Sequence, residues 1–193
     1  MWGKNYGFWR DREVMQLTLV PEEAGVLAGL AEAMLALVGP AVESPTSDDP
    51  FDQLVGLNDD VPPPEEPTDP AVHRLFPSAY ADDDESSADF RRFTEPGLRQ
   101  LKASRITKVK QLMMEFGAPG ADAKTVNIST EEAQDFLGAI NDMRLVLGSR
   151  LDITEDREDI GFDWDADDPR RHQYDVYQWL TWLQSTLLEV IVE

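Results

Sequence analysis

The sequence predicts a mostly α fold, a helical bundle with a small β element, on three observations. Apolar residues recur at helical spacing in four long segments, at about 21–39, 98–116, 129–150 and 169–193. Strand-like character is confined to an N-terminal hairpin and a short run near Val126. Two helix starts carry capping chemistry, Pro21 followed by Glu22 and Glu23, and Ser129 with Glu132 three residues on.

In chain order, "YGFWRDREVMQLTLV" reads as the hairpin, with a charged turn at Arg10–Arg12 and Val14, Leu17 and Leu19 on the return strand. Leu27, Leu30, Ala31, Met34 and Val38 then keep helical spacing until Gly39 and Pro40 end the helix. An acidic, proline-rich insert at about 39–70 holds eight of the thirteen prolines, and 39–90 holds fourteen acids against one base, Arg74. It is expected as an exposed connection within a single domain spanning 1–193, with short helical pieces at most at Phe51–Leu57 and Ala71–Phe76. Helix returns near Ser86, with a break expected at Glu95–Pro96–Gly97, because proline removes a backbone donor and crowds the preceding turn. Beyond it Leu98, Leu101, Val109, Leu112 and Phe116 form an apolar arc with Arg105 near its centre. A gapless similarity between 17–30 and 126–139 places two strand-into-helix units in the chain. Either they are neighbours in one sheet, or two helix starts share the same capping chemistry.

Polar residues on apolar faces are the candidate site. At 100° per residue, Leu137, Ile140, Asn141, Arg144, Leu147 and Leu151 share a face, which turns Asn141 and Arg144 toward the core and Asp142 to the side. A buried guanidinium needs a carboxylate or several carbonyls, so the trio reads as a polar clasp between helices. The alternative is an anion receptor built on Arg144. The segment 91–110 holds seven of the seventeen bases. It can neutralise the chain's own acids or present Arg99, Lys102, Lys108 and Lys110 to a protein partner. The final helix, "YDVYQWLTWLQSTLLEVIV", carries Tyr177, Leu180, Leu187 and Ile191 on its main face, and Trp179, Trp182 and Val190 away from it. That pattern suits a central helix, or one offering Trp179 and Trp182 to a partner or a second copy.

The totals exclude much. A formal charge of −21, from 38 acids and 17 bases, opposes direct binding to nucleic acid and to anionic membranes. No apolar run reaches the roughly 20 residues of a membrane span, and the N-terminal stretch lacks the apolar core of a signal peptide, so a cytoplasmic address is expected. With no cysteine there is no disulfide, thiolate metal site or thiol redox chemistry. The two histidines, His73 and His172, stand apart, and Asp163, Asp165 and Asp167 lack the glycine and glutamate of a calcium loop. No phosphate loop, nucleophile elbow or zinc-protease motif is present. No enzyme, metal or cofactor is expected.

Four blocks, "LTLVPEEAGVL", "LFPSAYADDDESSADFRRFTEPGLRQLK", "AINDMRLVLGSRL" and "DVYQWLTWLQSTL", in this order, resemble the actinobacterial family known as domain of unknown function 2017. The resemblance spans nearly the whole chain except the insert around 40–68. It implies a regulatory or adaptor protein that contacts a sigma factor, RNA polymerase or Clp components. Part of the family is labelled a transcriptional regulator of oxidative stress, and its genes often lie beside that of the Clp adaptor. The redox account in that family rests on a cysteine pair, which this sequence lacks. The expectation is therefore a non-enzymatic protein acting through contacts with proteins, with a homodimer as one arrangement and an anion-binding sensor using Arg144 as the alternative.

Overall fold

The computed structural model describes residues 5–39, 65–80, 82–154, 164–165 and 167–192. Most of the proline-rich insert, the expected helical piece at Phe51–Leu57, and Asp163 lie outside these residues. The strands are β1 (Gly7–Asp11), β2 (Val14–Leu19) and β3 (Lys124–Ile128), and the helices are α1 (Pro21–Val38), α2 (Pro70–Leu75), α3 (Asp84–Met113), α4 (Thr130–Arg150) and α5 (Arg170–Val192). A short 3-10 turn, Met114–Phe116, follows α3.

The strands form one antiparallel sheet in the order β1-β2-β3. Its turn is Arg12–Glu13, one residue later than expected, with Arg12 at φ 55°. Phe8 sits opposite Leu17, and Leu17 opposite Val126, its counterpart in the internal similarity, so the two strand-into-helix units are sheet neighbours. These three side chains form an apolar row on the inner face. On the outer face Trp9 Nε1 donates to Thr18 Oγ1 at 2.9 Å, and Thr18 and Thr125 hydroxyls meet at 2.8 Å. One face is thus packed and the other polar, as an antiparallel sheet allows.

α4 is the hub. It begins on the expected capping box, in which Glu132 N–H donates to Ser129 Oγ and the Glu132 carboxylate accepts from Ser129 N–H at 2.8 Å. It packs against each of the other four helices among the described residues. Phe136, Ala139, Ile140 and Met143 are buried, and Phe136 meets Phe8 edge-on at 5.2 Å. The final helix is not central. It buries Leu180, Leu183, Leu187 and Val190 against α4 and β1, and leaves Leu188 and Ile191 exposed. Trp179 and Trp182 pack at the edge of the core, and Trp182 stacks on Tyr6.

The expected break at Pro96 does not occur, and α3 runs unbroken for 30 residues. An interior proline costs roughly 3 kcal/mol, and here tertiary contacts on the flanking turns offset it. Arg91 is buried and donates to Ser78 Oγ at 3.1 Å. Glu95 is buried and pairs with Arg99 at 2.6 Å, while Arg99 also donates to the Val38 carbonyl at the end of α1.

α5 starts on Asp168, whose carboxylate accepts the Arg170 backbone N–H at 2.9 Å and meets its guanidinium at 2.6 Å. The Arg170 side chain first, and its backbone N–H second, hold the Asp168 carboxyl down at about 2. A folded value below the ordinary ~3.9 means that the contribution is fully present above that value and is lost as pH falls through about 2. The protection of the Arg170 amide, its exchange relative to the intrinsic rate at each pH, should therefore fall between about pH 4 and pH 2, and Asp168→Asn should abolish that dependence. An unchanged profile in Asp168→Asn would assign the effect to another group.

Candidate functional site

The polar trio on α4 is turned the other way from the expectation. Asp142 is the buried member, 4% exposed, whereas Asn141 is exposed and Arg144 half-buried. The inward face of α4 is set by Ala139, Ile140 and Met143, and Asp142 adjoins them, so the true apolar stripe lies beside the one that spacing selects. Asp142 Oδ1 accepts from Lys102 Nζ at 2.7 Å, joining α4 to α3. Phe76 closes this layer, with Arg99 at 4.3 Å and Lys102 at 5.9 Å from its ring centre. A ring face attracts cations, so both bases are positioned as well as paired. Arg144 reaches α5, where Nε donates to Thr181 Oγ1 at 3.0 Å and Nη1 to Gln184 Oε1. Its guanidinium lies 5.4 Å from the Tyr177 ring centre.

The basic strip is spent internally. Arg99 pairs with Glu95, Lys102 with Asp142, Lys108 with Glu131 and Asp135 at 2.8 and 2.9 Å, and Lys110 with Glu32 at 3.6 Å. Glu131 and then Asp135 raise the Lys108 pKa, so that ammonium stays charged at any working pH. Arg105 lies over Gly138, 3.9 Å from Asp135, on the flank of α3 rather than at the centre of its inner face. Arg99 and Lys102 are too deeply packed to serve as a partner surface.

What spacing alone missed is that the first two-thirds of α3 are inverted. Ser87, Arg91 and Glu95 point inward, while Phe90, Phe93, Leu98 and Leu101 lie 41–50% exposed. Tyr80 extends the patch, edge-on to Phe90 at 6.3 Å. At 100° per residue Phe90, Phe93 and Leu101 fall on one side of the helix and Ser87, Arg91 and Glu95 on another, with Leu98 on the polar side. The expected apolar arc holds for Val109 and Phe116, which are buried, and fails for Leu98 and Leu101, because the inner positions of this part of α3 are taken by polar groups with partners: Ser87 on the Tyr80 carbonyl, Arg91 on Ser78 and Glu95 on Arg99. Asp82, Asp83, Asp84, Glu85 and Asp89, all exposed, fringe the patch at its N-terminal end.

Two clefts among the described residues hold charged side chains of α3 or α4. One, about 450 Å³, lies between α3 and α4 over Lys108, Glu131 and Asp135, whose ion pairs cross it, and with Glu115 and Glu132 its lining stays net acidic. The smaller, about 260 Å³, is lined by Arg74, Asn141, Arg144, Ser149, Thr154 and Tyr177. Among the described residues there is no cluster of side chains suited to a metal ion. No helix among them is long and apolar enough to cross a membrane.

The family model for a domain of unknown function, DUF2017, matches residues 5–191. The chain belongs to the DUF2017 family. Relatives of this DUF2017 chain include proteins named "Oxidative stress regulator AosR" from Mycobacterium tuberculosis and Mycobacterium bovis. Each is 28% identical over 190 residues, covering 95% of this chain and 84% of the relative. No solved structure matches it. The DUF2017 match takes in every element described above, so the polar layer, the α3 patch and the Arg144 cleft all lie within the family domain.

Proposed function

We propose that this DUF2017 protein is a non-enzymatic regulator in a stress response, acting by protein–protein contact with the transcription machinery through the outer face of α3. The relatives' name supports the regulatory role. The observation that carries the contact is the exposed patch of Tyr80, Phe90, Phe93, Leu98 and Leu101. Leaving five large apolar side chains together in water is costly on a monomer, and clusters of this kind mark interaction sites. The acidic fringe at Asp82–Glu85 and Asp89 selects the occupant: an apolar protein patch bordered by bases. A second copy is opposed by the −21 charge that each chain carries. These 193 residues contain no cysteine, so no disulfide within them carries the stress signal.

The test uses purified chain with sigma factor and core RNA polymerase from its own organism, in binding titrations paired with light scattering. Phe93→Asp combined with Leu101→Asp should weaken the complex by more than about tenfold, because buried aromatic anchors dominate interface energies. Both positions are exposed, so the variant should fold with nearly unchanged stability. Equal binding by wild type and variant removes α3 as the surface. A wild-type dimer that the variant abolishes, with no binding to either partner, replaces the heteromeric reading with self-association.

A further inference from the structure

We propose that the cleft between α2, the C-terminal half of α4 and the first turns of α5 binds a small polyvalent oxyanion, of the phosphate or polycarboxylate kind, through Arg74 and Arg144. The bases of α3 show what this chain does with a cation it means to neutralise: Arg99, Lys102, Lys108 and Lys110 each face one of its own carboxylates. The two arginines of the cleft do not. Among the described residues no carboxylate lines the cleft, and none pairs with Arg74 or Arg144, in a chain with 38 acids to choose from.

Arg144 is held, not neutralised. Thr181 and Gln184 accept from Nε and Nη1, and the Thr181 hydroxyl spends its own proton on the Tyr177 carbonyl at 2.9 Å. A guanidinium carries five N–H donors, so this leaves three for a ligand. Its orientation is set in advance by α5, which lowers the cost of ordering it on binding. Arg74 comes from the short helix α2, which is itself anchored. Asp69 caps α2 by accepting from the Ala71 N–H at 2.9 Å, and its second oxygen meets Arg150 of α4 at 2.6 Å.

The remaining polar lining is neutral and donor-rich: the Asn141 amide and the Ser149 and Thr154 hydroxyls. The C-terminus of α4 shapes that rim. Asp152 takes φ 56°, and Ile153 N–H returns to the Gly148 carbonyl at 2.9 Å, which turns Ile153 and Thr154 across the cleft. A volume of about 260 Å³ limits the ligand to a small metabolite. Paired guanidiniums recognise phosphoryl and carboxylate oxygens with the same fork geometry, so both chemistries belong in the test.

The experiment is isothermal titration of the full chain with inorganic pyrophosphate and with citrate at constant ionic strength, with acetate as the monovalent control. Saturable 1:1 binding of at least one polyvalent probe is expected, weakened at least tenfold in Arg74→Ala. Arg74 is exposed and has no partner among the described residues, so that variant should melt with the unliganded wild type. Arg144→Met should also lose binding, whereas Thr181→Val, which removes a helix contact but no charge, should keep it. No saturable binding by the wild type, or equal affinity in Arg74→Ala, overturns the proposal. Loss in Arg144→Met and Thr181→Val alike, with Arg74→Ala unaffected, reduces Arg144 to a helix contact and overturns it too.

Discussion

Asp142→Ala should destabilise the protein by about 3–5 kcal/mol, the cost of breaking a buried pair by removing one partner. Asp142 is 4% exposed and the Lys102 side chain 16% exposed, with 2.7 Å between Nζ and Oδ1. Without the carboxylate, the ammonium keeps only the weak attraction of the Phe76 ring at 5.9 Å. The asymmetry between breaking the pair and replacing it gives the sharper test. Lys102→Met with Asp142→Leu keeps volume and removes both charges, so it should recover most of the lost stability. Urea unfolding of both single variants and the double closes a thermodynamic cycle. A loss under about 1 kcal/mol for both single variants would place the pair in effective contact with water and end its role as the clasp.

Gly7→Ala should cost roughly 2–4 kcal/mol, from two sources that act together. Gly7 sits at φ +72°, where a Cβ costs about 1–2 kcal/mol. The new methyl would also lie 2.7 Å from Trp182 Cη2 and 3.1 Å from Thr186 Oγ1, an overlap that packed interiors relieve only by shifting neighbours. Thr186 is not free to retreat, since its hydroxyl oxygen accepts from Phe8 N–H at 3.2 Å. Thermal unfolding of Gly7→Ala beside Gly7→Ala/Trp182→Leu separates the terms. The smaller residue should restore the overlap component and leave the backbone strain. An additive double variant would show that Trp182 does not constrain β1.

Much of the architecture was legible before any coordinates. The hairpin, the capped start of α4, the bounds of α1 and the strand at Val126 all follow from local chemistry: turn residues, caps and period. The pairing of β2 with β3 was visible only as the similarity between 17–30 and 126–139. Local chemistry misled at Pro96, where the rule that proline ends helices is sound for an isolated segment. It also misled on α3 and α4, where helical spacing turned one apolar stripe of each to the core although only part of it is buried, Val109 and Phe116 of the first and Ile140 and Leu151 of the second. Leu98 and Leu101 face water, and Asp142 rather than Asn141 turns inward.

Those errors share a cause. A period shows that a helix has faces, but which face is buried depends on what the neighbouring elements bring to it. Glu95 and Lys102 can lie inward because Arg99, Phe76 and Asp142 arrive from other turns and other helices to meet them. Apolar side chains can then be left outside, on the patch proposed for a partner. By itself the sequence determined the order and bounds of most helices and strands, the formal charge of −21, and the lack of cysteine. These properties are local or additive, and each residue carries its share regardless of distant partners. Only the tertiary structure decided the continuity of α3, the inward turn of Asp142, the internal neutralisation of the basic strip, and the placing of Arg74 and Arg144 on one cleft. Each of these depends on residues far apart in the chain being brought together, which no local pattern records.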